Sequence, residues 1–165
     1  MSKIKIYGGK YLSGTIKIHG SKNACLPIMC ASLLNRGRAT ISNVPKIADV
    51  YNLLSIFSYL NVAYTFTDDV LVIDSSKLTY SDLLINEVLT FRASYYLIGI
   101  FLALFGKCKI YYPGGCKLGD RPLDYHFDAF KAMGYNVKYN DNIIEIAGNP
   151  KNEHIDITLI GNSVG

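Results

Sequence analysis

"VAYTFTDDVLVID", Val62 to Asp74, reads as two β arms folded about Asp68-Asp69, a hairpin signal of short polar residues between apolar runs. "VKYNDNIIEIA", Val137 to Ala147, has the same form, with its turn at Asp141-Asn142. Aligning Asp49 with Asp124, an offset of 124 − 49 = 75, places Asn61 on Asn136, Val62 on Val137 and Tyr64 on Tyr139. Upstream of each hairpin lies a helix, with Leu53, Leu54, Phe57 and Leu60 on one face in the first copy and Phe127, Phe130 and Met133 in the second. Before the helices come the strands "ATISNVP" and "CKIYYPGG". Before those come two apolar helices, "NACLPIMCASLLNRG" and "RASYYLIGIFLALFG", which Gly37 and Gly106 are expected to terminate. The repeated unit is helix, strand, helix, strand, strand. It predicts an α/β (α+β) fold whose copies pack helix against helix to cover apolar faces that one copy leaves open.

Composition narrows the class. The 165 residues are half hydrophobic and 18% charged, a globular balance long enough for a core without disulfides. A net charge of +4, with no basic run, argues against a nucleic-acid surface and is satisfied by an anionic small molecule. Cys25, Cys30, Cys108 and Cys116 form no C-x-x-C pair and the three histidines do not cluster near them, so neither a zinc site nor a disulfide framework is expected. "MSKIKIYGG" lacks the apolar core of a signal peptide, and "ASYYLIGIFLALFG", Ala93 to Gly106, is too short for a membrane span. A cytoplasmic location and a buried helix follow as expectations.

The two copies differ at one junction. Between the first strand and second helix the first copy has "PKIAD"; the second has "PGGCKLGDRPLD", Pro113 to Asp124, six residues longer counted from Gly37 and Gly106. Loops on a rigid scaffold are common sites of binding groups. Gly114 and Gly115 would let the backbone turn sharply and approach a ligand closely. Lys117 and Arg121 would bias the Cys116 thiol toward thiolate or tune its proton transfer. Cys116 is therefore a candidate nucleophile or general acid, and Arg121 a fork for phosphate or carboxylate. Cys25, Cys30 and Cys108 lie in apolar patterns and read as small buried hydrophobes. Lys22 and Arg92, 70 residues apart, each open a first helix. A cation there opposes the helix dipole, which points to an anion held between the helix ends.

"GSKNACLPIMCASLL" (Gly20 to Leu34), "NVPKIADV" (Asn43 to Val50), "FRAS" (Phe91 to Ser94), "PGGCKLGDRPLDYH" (Pro113 to His126) and "NSVG" (Asn162 to Gly165) resemble, in order and spacing, successive motifs of the UDP-N-acetylglucosamine 1-carboxyvinyltransferase family. The resemblance implies the inside-out α/β barrel of enolpyruvyl transferases. It also implies transfer of enolpyruvyl from phosphoenolpyruvate to the 3-hydroxyl of UDP-N-acetylglucosamine, without metal or organic cofactor. That reaction is the first committed step of peptidoglycan synthesis, and so serves cell-wall biogenesis, cell shape and division. By resemblance Cys116 is the proton donor and the thiol that fosfomycin alkylates, and Lys22 and Asn23 bind phosphoenolpyruvate. Arg92, the stretch Arg121, Pro122, Leu123, Asp124 and Tyr125, and Ser163 with Val164 contact the nucleotide sugar.

Two departures from the family pattern stand out. Gly161 replaces a lysine expected to contact the diphosphate. The chain also corresponds to an N-terminal part only: residues 1 to 20 match a hairpin of a second domain, and residues 21 to 165 match two repeat units and the start of a third. The implied expectation is a chain that binds UDP-sugar without turnover, with a separately encoded second half as one arrangement. The alternatives are a truncated product acting as a UDP-sugar-binding or interaction module, and a shikimate-pathway enolpyruvyl transferase.

Overall fold

A computed structural model describes residues 3–115, 123–151 and 154–157. The first repeat runs α1 (Lys22–Ser32), a 3-10 turn (Leu33–Asn35), β1 (Arg38–Ile41), α2 (Ala48–Tyr59), β2 (Ala63–Thr67) and β3 (Val70–Asp74). The second runs α3 (Asn86–Thr90), a 3-10 turn (Arg92–Tyr95), α4 (Tyr96–Phe105), β4 (Lys107–Tyr111), α5 (Asp124–Ala132), β5 (Asn136–Asn140) and β6 (Ile143–Ala147). Each repeat builds a three-stranded antiparallel sheet with its last strand in the centre, in the orders β1-β3-β2 and β4-β6-β5.

The expected unit is present, but the hairpin offset is 73 rather than 75. The turns Asp68-Asp69 and Asp141-Asn142 correspond (141 − 68 = 73), and the pairs Ala63↔Asp74 and Asn136↔Ala147 keep the same step (136 − 63 = 73). Asn61 therefore matches Gly134, both at positive φ (60° and 95°), and not Asn136. The shared identities misled because Asn61 lies in the turn before β2 while Tyr64 and Tyr139 are exposed on edge strands, positions that packing constrains weakly, whereas the hairpin turn and the inward residues Leu71/Ile144 and Ile73/Ile146 set the register. The left-handed residue closing the first helix is Arg36 (φ 51°), not Gly37, because a 3-10 turn tightens that helix end and moves the cap one residue earlier. In the second repeat Gly106 (φ 67°) closes α4 as expected, its N–H donating to the Leu102 carbonyl at 3.0 Å.

Helix packs against helix at the centre. α1 contacts both α2 and α4, and Leu26, Met29, Leu97 and Phe101 are buried there. The four α2 residues expected on one face, Leu53, Leu54, Phe57 and Leu60, are fully buried. α4 is an interior helix, and no helix among the described residues is long and apolar enough to cross a membrane. Cys25, Cys30 and Cys108 are buried, and burial raises all three thiol pKa values.

Residues 75–91 join the repeats and are stitched to both. The Tyr59 hydroxyl donates to the Asp82 carbonyl at 3.1 Å. Leu83 forms a parallel bridge with Ile110, its N–H donating to Lys109 O at 2.7 Å and its carbonyl accepting from Tyr111 N at 3.3 Å. The hairpin expected in residues 1–20 does not appear: the described residues 3–20 contain no strand, and Ile4, Ile6, Ile16 and Ile18 are all more than four-fifths exposed. A two-stranded hairpin is marginal without a sheet or helix beneath it.

Candidate functional site around Arg92

The second repeat opens with a kinked path. α3 ends at Thr90, and Phe91, buried and extended (φ −149°), turns the chain into the 3-10 turn that carries Arg92. Arg92 was expected in the first turn of an α-helix; it instead occupies the 3-10 turn ahead of α4. Lys22 does open α1.

The start of the cysteine loop lies against this turn. The Gly114 N–H donates to the Val88 carbonyl at 3.3 Å, and a side chain at Gly114 would run into the Leu89 carbonyl. A Cβ at Gly115 (φ +119°) would meet the Arg92 amide nitrogen at 2.9 Å. The two glycines were expected to admit a ligand; what they visibly admit is a backbone-on-backbone crossing beside Arg92. The far end of the loop returns to the same neighbourhood. Leu123 is buried, and Asp124 opens α5, where a carboxylate suits the helix dipole.

Aromatic rings join the two ends. The Arg92 guanidinium sits 5.9 Å from the Tyr95 ring centroid, and Tyr95 meets Tyr96 at 4.3 Å and the His126 ring edge-on at 5.3 Å. Burial first, then the Tyr96 hydrogen bond, push the Tyr95 hydroxyl up to about 12. His126 is exposed overall, but partial desolvation of its ring and the nearby Arg92 charge lower its pKa, favouring neutral imidazole. Tyr95 and His126 were not among the expected site residues. His126 closes the stretch that follows the long junction, while Tyr95 lies within an apolar helical run.

Lys22 has a different setting. Its ammonium lies 3.1 Å from the Asp49 carboxylate, which sits in the first turn of α2. The pair offsets the unfavourable cation at the α1 N-terminus, so an incoming anion at Lys22 must compete with Asp49. Asn23 beside it is exposed. Tyr125 is half-buried on α5. Cys116, Lys117, Asp120, Arg121, Pro122, Gly161, Ser163 and Val164 lie outside the described residues. A shallow cavity of about 260 Å³ is lined by Tyr80, Lys107, Lys109, Lys138 and Glu145 among others, and by none of the expected site residues. Lys109 and Glu145 pair there at 2.6 Å with Lys138 across the register, a cross-strand ladder on the sheet surface rather than the candidate site.

A sequence model of EPSP synthase (3-phosphoshikimate 1-carboxyvinyltransferase) matches residues 6–165. The chain belongs to the EPSP synthase family. Within that family it is 38% identical over 137 residues to UDP-N-acetylglucosamine 1-carboxyvinyltransferase of a Nitratiruptor species, covering 83% of this chain and 33% of that protein. It is 37% identical over 165 aligned positions to UDP-N-acetylglucosamine 1-carboxyvinyltransferase 1 of Staphylococcus haemolyticus, covering 98% of this chain and 39% of that one. Among solved structures, the enolpyruvyl transferase NikO from Streptomyces tendae aligns with a TM-score of 0.72 at 20% identity, over 85% of this chain and 31% of that one. The fold is thus the enolpyruvyl transferase fold, and this EPSP synthase-family chain spans between a third and two fifths of the length of those curated relatives.

Proposed function

We propose that this chain carries the cysteine and nucleotide-sugar part of a cytoplasmic enzyme that transfers enolpyruvyl from phosphoenolpyruvate to the 3-hydroxyl of UDP-N-acetylglucosamine in peptidoglycan synthesis. One observation carries the reading: Gly115, next to Cys116, lies against Arg92, and the helix following the loop brings His126 to Tyr95, so both ends of the loop flank Arg92. The names of the relatives support this acceptor over 3-phosphoshikimate.

The chemistry assigns roles. Cys116 donates its thiol proton to the C3 methylene of phosphoenolpyruvate, leaving oxocarbenium character at C2. The sugar 3-oxygen adds to C2 and gives its proton to a base, for which the family resemblance implies a carboxylate on the second domain. Phosphate then leaves C2 while a C3 proton returns to the thiolate, restoring the double bond as an enol ether. Lys22 and Asn23 hold phosphoenolpyruvate; Arg92, the Arg121–Tyr125 stretch, Ser163 and Val164 hold the nucleotide sugar. Clustered cations stabilise the substrate charge but also favour thiolate, so the balance of charge around Cys116 governs the rate. Turnover requires the second half, and Cys116 is the site of fosfomycin alkylation.

Calorimetric titration of the 165-residue chain tests the reading. UDP-N-acetylglucosamine is expected to bind and shikimate 3-phosphate not to; the reverse preference overturns the assignment. Phosphate release from phosphoenolpyruvate by this chain alone, dependent on UDP-N-acetylglucosamine, would overturn the need for a second half.

A further inference from the structure

Among the described residues the buried polar side chains are Ser75 and Ser94, each without exposed surface. Ser94 sits within the turn that carries Arg92. Its Oγ lies 2.9 Å from the Phe91 carbonyl and 3.1 Å from the Val88 carbonyl, so its one proton is shared between them. The Val88 carbonyl also accepts from the Gly114 N–H. A single carbonyl oxygen thereby ties α3, the Arg92 turn and the start of the cysteine loop. Leu89 and Arg92, whose backbone the glycine pair rests on, lie within the segment that the Ser94 hydroxyl spans.

The first repeat supplies a contrast. At the offset that pairs Lys22 with Arg92, Ala24 stands where the second repeat has Ser94, and it is exposed. That repeat has the short "PKIAD" junction and no glycine pair. The hydroxyl accompanies the long loop. A serine inside a helical segment is otherwise neutral to unfavourable, because its side chain competes for backbone carbonyls.

We propose that Ser94 is a positioning residue: through the Val88 carbonyl its hydroxyl fixes the turn that presents Arg92 and seats Gly114 and Gly115, and so sets the cysteine loop for the nucleotide sugar. The assignment of that ligand rests on the function proposed above. Removing the hydroxyl leaves two buried carbonyls with one donor fewer, and the turn can then relax toward other partners.

The test begins with the unaltered 165-residue chain. Hydrogen exchange at the Gly114 amide is expected to be slowed at least about a hundredfold relative to an unprotected amide; unprotected exchange in the folded chain overturns the proposal. Ser94→Ala is expected to weaken UDP-N-acetylglucosamine binding about tenfold, as for loss of a buried hydrogen bond. It should also speed Gly114 exchange and shift the pH profile of Cys116 alkylation by iodoacetamide, followed by peptide mass spectrometry. Ser75→Ala removes the other buried hydroxyl, which donates to the Gly37 carbonyl at 3.1 Å, and should lower melting without moving any of these readouts. A folded Ser94→Ala chain with wild-type affinity, exchange and alkylation profile overturns the proposal. If Ser94→Ala does not fold, the exchange measurement on the unaltered chain decides. If the unaltered chain does not bind UDP-N-acetylglucosamine, the proposed function falls, while exchange and alkylation still decide the role of Ser94.

Discussion

In both repeats the chain ahead of the first helix crosses the chain behind the first strand, backbone against backbone, but the glycine that makes room sits on opposite partners. In the first repeat Gly20, just before α1, lies against the carbonyl of Asn43; in the second Gly114, just after β4, lies against that of Leu89. With the glycine ahead of the helix, the junction after the strand is free to be short, and Lys22 closes an ion pair with Asp49. With the glycine after the strand, the crossing becomes the footing of a long junction, and Gly115 rests on the Arg92 backbone. One scaffold thus yields a closed corner, with the short junction, and an open one, with the long junction.

The largest expected effect probes the crossing itself. Gly114→Ala and Gly20→Ala each force a methyl group into a carbonyl and should each cost about 3 kcal/mol of stability in urea unfolding. Only Gly114→Ala should also weaken UDP-N-acetylglucosamine binding; an equal loss of affinity from Gly20→Ala would erase the distinction between the corners. Next, Arg92→Ala should weaken that binding by between about tenfold and a hundredfold in titration, the range for a hydrogen bond to a charged group. Lys22→Ala should leave it within about threefold, since Lys22 is assigned to phosphoenolpyruvate.

Smaller is a pH effect confined to the open corner. The folded state lowers the pKa of His126 from its ordinary value of 6.5, so below that pH the unfolded chain binds the proton more readily. His126 is neutral in both states at higher pH and costs nothing there; stability falls as pH drops through the unfolded value toward the lower folded one. His126→Gln should therefore narrow the difference in melting temperature between pH 7.5 and pH 5.5, and because the ring is partly exposed the change should be modest. Smallest is Asp49→Asn in the closed corner, which should cost about 0.5 kcal/mol for a half-exposed ion pair in thermal melts. The same change should tighten phosphoenolpyruvate binding by freeing Lys22, and unchanged binding would show that Asp49 does not compete for it.

The repeated unit was legible because its signals are periodic: the two hairpins, the α2 face of Leu53, Leu54, Phe57 and Leu60, and Gly106 at a helix end each follow from a local rule. The offset was misread because Asn61 and Tyr64, two of the three matched identities, are exposed positions that packing does not test. α3 was invisible because five residues are too few for a helical period, and Leu83 joins the second sheet through a single bridge that no pattern announces. At the site, Arg92 could be singled out by its charge at a helix start. Ser94 could not, because its importance lies in which carbonyls it reaches, and that depends on how residues 88 and 114 meet in space. The glycine pair was noticed for close approach, and the neighbour the structure shows for it is the backbone of Leu89 and Arg92.

The segment around Leu83 sets terms for anyone wishing to dissect this protein into halves. Because Leu83 borders β4 while Tyr59 and Asn61 hold Asp82 and Thr79 from the other side, a cut at Asn86 would strip a border from the second half, and a cut at Ser75 would unfasten the first. Sequences meant to be expressed as single repeats should both retain residues 75–85, overlapping in the gene as the two halves overlap in the molecule.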